Sequence, residues 1–143
     1  MNAAELAREG RRWLRWSEED LEVADAISQD GDLTPRAACF HAQQAAEKAI
    51  KAALVISGVN FPRIHDLDAL RNLLPEGWSL KVDFPKLGGL SSWATDARYP
   101  ADLPDIGPED ATQAVSQARG VYECVREDCQ RRRLDPDVAE DEP

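Results

Sequence analysis

The stretch between Pro35 and Gly58 limits the fold more than any other part of this chain. Eight of its residues are alanines, at positions 37, 38, 42, 45, 46, 49, 52 and 53, and neither proline nor glycine interrupts them. Alanine is the strongest helix former and its small side chain lets neighbouring helices approach closely. Thr34 is placed to cap such a helix, Pro35 fits its first turn, and Gly58 is suited to ending it after Ser57. A rod this smooth gains stability only when other helices pack round it. The expectation is an all-α, antiparallel, up-and-down bundle.

Proline and glycine divide the rest into four more helical segments, giving about five in all. The first runs from Ala3 to Ser28 and stops at Gln29-Asp30-Gly31-Asp32. Trp13, Trp16, Val23 and Ile27 fall on one face of it, with Asp20 inside that stripe. Asp66 caps a short segment through Leu74. A fourth, about Asp83 to Thr95, turns Leu87, Leu90 and Ala94 inward, although Gly88-Gly89 weakens it by roughly 1 kcal/mol per glycine. The last runs from Pro108 to Arg132, with Ala111, Ala114, Val115, Ala118, Val121, Tyr122, Val125 and Cys129 at helical spacing. Alternating strand patterns and internal repeats are both missing from the sequence.

Charge narrows the function classes. The chain of 143 residues carries −10, which opposes sequence-independent binding to duplex nucleic acid. Asp135, Asp137, Glu140, Asp141 and Glu142 supply −5 of it, leaving −5 for residues 1–134, so a local basic site is still compatible with the sequence. The domain is expected over 1–133, with a disordered acidic tail over 134–143. No run of about 18 apolar residues is present to span a membrane, and the first residues lack a signal-peptide core, which favours the cytoplasm. Cys39, Cys124 and Cys129 form no metal-ligand spacing and read as reduced, buried thiols. Neither a metal nor a cofactor is expected.

His41, Gln44, Lys48 and Lys51 lie along one strip of the alanine-rich helix, since each residue turns the helix by about 100°. A polar strip there must face solvent, a partner, or buried polar groups. One reading is a solvated face with Glu47 and Lys51 as an ion pair one turn apart. The other is a ligand or partner site, whose lysines could meet phosphate or carboxylate. Asp20 is costly in a tryptophan-lined stripe unless paired, and Lys48 or His41 could pair it.

The run Cys39-Phe40-His41-Ala42-Gln43-Gln44-Ala45-Ala46-Glu47-Lys48-Ala49-Ile50-Lys51-Ala52 closely resembles the signature helix of the HEPN domain. His65-Asp66-Leu67 and Arg98-Tyr99-Pro100 resemble two further signatures of that family, in the same order. With Asp20-Leu21, the resemblance covers about residues 5 to 130. It implies a compact bundle, commonly a homodimer, that often acts beside a small nucleotidyltransferase in a toxin–antitoxin-like pair and is associated with nucleotides. On that resemblance His41, Gln44, Lys48, Lys51, Arg98 and Tyr99 are the candidate ligand-binding residues, with a nucleotide or RNA as ligand and Asp20 as their buried partner.

Many HEPN proteins are metal-independent ribonucleases that use an arginine and a histidine a few residues apart. Arg36 and His41 have such a spacing, but on the second helix rather than a late one, and Gln43 stands where a toxin subfamily has tyrosine. Arg36 and His41 are therefore the alternative, catalytic candidates. His65-Asp66 reads either as part of a pocket or as a helix cap. Arg98 and Tyr99 read as nucleotide contacts or as loop fasteners.

Overall fold

A computed structural model of the chain describes residues 1–94 and 105–132. Six helices are present among them: α1 (Ala3–Gln29), α2 (Pro35–Ile56), α3 (Leu67–Asn72), α4 (Leu80–Asp83), α5 (Gly88–Ser91) and α6 (Pro108–Arg131). The described residues contain no strand. Arg98-Tyr99-Pro100 and the tail over 134–143 lie outside the described residues.

The capping chemistry of α2 follows its sequence. The Thr34 side chain accepts a bond from the Arg36 amide, and Pro35 occupies the first turn. At the other end Gly58 takes φ +70, the left-handed region that glycine enters without cost. Val59 N then bonds Leu54 O and Gly58 N bonds Val55 O, the paired pattern that satisfies the last carbonyls of a helix.

Helix α2 is the centre of the molecule and packs mainly against α1 and α6. Gly10 of α1 lies against Ala52 and Ile56, and Ser17 donates to the Ala45 carbonyl at 2.6 Å, so α1 and α2 run antiparallel. Tyr122 Oη bonds Glu18 at 3.0 Å and Arg119 approaches Asp25 at 3.6 Å, which sets α6 antiparallel to α1 as well. The three short helices carry the chain back between α2 and α6.

Two expectations change. The fourth segment is two single turns rather than one helix, because Pro85 pushes the preceding Phe84 out of helical geometry (φ −129, ψ 68) and Gly88-Gly89 follow. The tryptophan stripe is only the flank of the core face of α1: Trp13 and Ile27 pack against the core, but the fully buried face is another. It consists of Ala7, Gly10, Arg11, Leu14, Ser17, Leu21 and Ala24, whereas Trp16 and Val23 are 40% and 42% exposed. Small side chains win that face because α2 presents alanines at close range.

The short helices are fastened by buried polar groups. Asp68 accepts from the Leu87 amide and from Arg71, whose guanidinium also bonds the Phe84 carbonyl. Asp128 on α6 is 2% exposed and accepts from both the amide and hydroxyl of Ser79, which pins the start of α4 to the last helix. Cys39, Cys124 and Cys129 are all buried thiols.

Candidate functional site

The middle of α2 is buried on almost every side. Among its central residues only Phe40, His41, Gln44 and Lys48 are partly open, and they form one ridge. Their spacing of three and four residues places them one above another.

Asp20 reaches this ridge from α1. Its Oδ1 lies 3.3 Å from His41 Nδ1, and its Oδ2 receives Lys48 Nζ. The carboxylate therefore bridges two groups of α2 that are two helical turns apart. A proton on His41 Nδ1 donating to Asp20 leaves Nε2 as the acceptor of the neutral ring. No other polar partner of His41 is present among the described residues.

Glu47 builds a second clamp of the same design. Its Oε2 lies 3.1 Å from Lys51 Nζ, and its Oε1 lies 2.8 Å from His65 Nδ1. Gln43 donates to the same Oε1 and to the His65 carbonyl, both at 3.2 Å. Gln44 donates to Gln43 Oε1 at 2.7 Å and so touches this network from the ridge. The chain's two histidines are thus each held at Nδ1 by a carboxylate whose second oxygen takes a lysine.

Burial separates the two clamps. Glu47 and Lys51 side chains are 6% and 10% exposed, so this ion pair belongs to the interior rather than to a solvated face. Lys51 Nζ also sits 5.9 Å from the Trp13 ring centre and 5.6 Å from that of Phe61, a favourable position for a cation. Lys51 is therefore drawn inward, away from His41, Gln44 and Lys48. His41 and Lys48 retain 33% and 28% side-chain exposure.

The local structure that delivers His65 was hidden in the sequence. Asp66 caps α3 through the Ala69 amide at 3.1 Å. Ser91 Oγ accepts from Leu67 N and donates to the His65 carbonyl, so α5 holds the loop from the other side. Beside it lies a shallow cleft of about 390 Å³ lined by His65, Asp66, Asp68, Gly88, Ser91 and Ser92, among others. Gln43 and Glu47 were the available signal: two polar residues one turn apart among alanines.

Aromatic side chains border the ridge. Phe40 meets the His41 ring edge-on at 5.4 Å, and Trp16 lies one turn before Asp20, edge-to-face with Trp13 at 5.3 Å. Neither Phe40 nor Trp16 belongs to the core or to the residues packed on it.

The alternative pair is not brought together. Arg36 is exposed in the first turn of α2, and no hydrogen bond or ion pair joins it to His41. Arg98 and Tyr99 lie outside the described residues. Among the described residues no three His, Cys, Asp or Glu side chains converge as metal ligands would, and no helix is long and apolar enough to cross a membrane.

Comparison with known proteins agrees with this architecture. The family model for the HEPN domain matches residues 11–128. The chain is 28% identical over 130 residues to a Methanocaldococcus jannaschii protein named "Putative toxin MJ1304", covering 80% of this chain and 84% of that protein. It also superposes on the crystal structure of TT1696 from Thermus thermophilus with a TM-score of 0.72 and 27% identity, covering 85% of this chain and 98% of the other. The match runs from Arg11 in α1 to Asp128 in α6 and spans the residues of both carboxylate–histidine clamps: this chain belongs to the HEPN domain family.

Proposed function

We propose that this protein is the HEPN half of a toxin–antitoxin-like pair. In this reading it forms a homodimer, acts with a small nucleotidyltransferase, and offers the α2 ridge to a nucleotide. The toxin-named relative supports the setting. The observation that carries the binding role is the ridge itself: Phe40, His41, Gln44 and Lys48 are the open part of the otherwise buried middle of α2, braced from beneath by Asp20. Side chains held this firmly lose little freedom on meeting a ligand, which is what makes a site pre-organised.

The test is co-expression with a nucleotidyltransferase encoded next to the gene. The account expects a stable complex on size exclusion and a dimeric mass for the chain alone by light scattering. A monomer that does not co-purify with that partner would remove the assembly reading. RNA cleavage by the purified chain in chelator, abolished by His41→Ala, would replace the binding role with the ribonuclease built on Arg36 and His41.

A further inference from the structure

We infer that the α2 ridge takes its ligand by a planar, hydrogen-bonding base and not by phosphate. The inference rests on the nucleotide-binding reading above and names the part of the nucleotide that is recognised.

The charges decide against phosphate. Lys48 is held by Asp20, and Lys51 is buried against Glu47, so each lysine of the strip already has its own carboxylate. With neutral imidazoles the strip carries no net charge. A phosphate approaching Lys48 also approaches Asp20, which repels it, and prising Lys48 away would leave that carboxylate without its lysine. Lys51 lies under Trp13 and Phe61. A phosphate site, by contrast, presents cations that lack internal partners, or backbone amides at a helix start.

The unspent hydrogen-bonding capacity on the ridge is of another kind. His41 Nδ1 lies against Asp20, and in the tautomer that donates Nδ1–H to this carboxylate Nε2 is an acceptor turned toward the ridge. Gln44 gives one amide N–H to Gln43, which leaves its other N–H and its carbonyl oxygen, a second neutral acceptor one turn away. Lys48 has further N–H groups beyond the one given to Asp20. Two acceptors and a charge-compensated donor along one helix face match the donor and acceptor edge of an amino-substituted heteroaromatic ring. Phe40 and Trp16 lie outside the packed core and touch one neighbouring ring each, edge to face, and bases stack on partly open rings of this kind.

Titration calorimetry of the full chain with the four common nucleosides and their mono- and triphosphates, at low and high salt, tests this. The best nucleoside is expected to bind within about threefold of its triphosphate, and salt is expected to change its affinity less than about twofold. Phe40→Ala and His41→Ala should each weaken the nucleoside by roughly tenfold or more. His41→Gln serves in place of His41→Ala if the latter fails to fold. Asp20→Asn, which releases the charge of Lys48, should make the triphosphate bind about tenfold better than the nucleoside. Affinity that climbs with each phosphate and collapses in salt would overturn this inference while leaving nucleotide binding in place. Absence of heat with every compound would overturn both.

Discussion

His65 Nδ1 lies 2.8 Å from Glu47 Oε1, and this contact joins the loop before α3 to a buried face of α2. Glu47 is 4% exposed and accepts from Lys51, His65 and Gln43 together. A buried carboxylate is tolerated because both of its oxygens are hydrogen-bonded. Its removal is correspondingly costly.

Glu47→Gln leaves Lys51 charged and buried without its acid. Breaking a buried pair from one side costs about 3 to 5 kcal/mol, so the urea midpoint should fall sharply. Glu47→Gln combined with Lys51→Met removes both charges and should recover most of that loss. If the double variant is no more stable than the single one, Lys51 is not the group left stranded.

The close crossing of α1 on α2 depends on Gly10. A Cβ there would stand 2.3 Å from Ile56 Cγ1 and 3.2 Å from the Ala52 carbonyl. Gly10→Ala should lose roughly 1 to 3 kcal/mol in denaturant unfolding, despite alanine's better helix propensity. Combined with Ile56→Ala, the loss should be smaller than the sum of the two single losses, since one clash disappears. Simple additivity would place the strain elsewhere.

These two sites show what the sequence made legible and what it did not. Helix α2, its caps, and His41, Gln44 and Lys48 of the polar strip were readable, because composition and spacing act within one segment, whereas the inward turn of Lys51 depends on Trp13 and Phe61 from elsewhere. The core face of α1 was not, because Ala7, Gly10, Ser17 and Ala24 carry too little hydrophobicity to stand out beside Trp13 and Trp16. Small residues reveal their role only when the facing helix is known to be equally small. The Glu47–His65 clamp joins residues 18 apart in the chain through an intervening loop, and no local pattern encodes such a meeting. The pairing of Asp20 was more accessible, because a carboxylate in an apolar stripe demands a partner wherever the chain folds.

Alkaline stability should report on the thiols. The Cys39 thiol is pushed up to about 11, first by burial and then by Asp110, and the Cys124 thiol also to about 11, by burial and then by Asp83 and Glu127. A folded-state value above the unfolded one favours the protonated fold below about pH 9 and loses that advantage as pH rises toward 11. Unfolding free energy should therefore decline across that window by on the order of 2 kcal/mol per thiol. In Cys39→Ala plus Cys124→Ala the decline should be shallower. An unchanged slope would show that the thiols stay protonated or are not the titrating groups.

In the proposed function the ridge on α2 is the face that meets a ligand. Amide chemical-shift mapping of the labelled chain during titration with the best-binding nucleoside tests it most directly. The account predicts shifts concentrated on residues 40–48 of α2 and 16–23 of α1, with small changes at the cleft beside Ser91 and Ser92. Shifts gathered in that cleft, or around Leu33 in the turn between α1 and α2, with the ridge undisturbed, would rule this out.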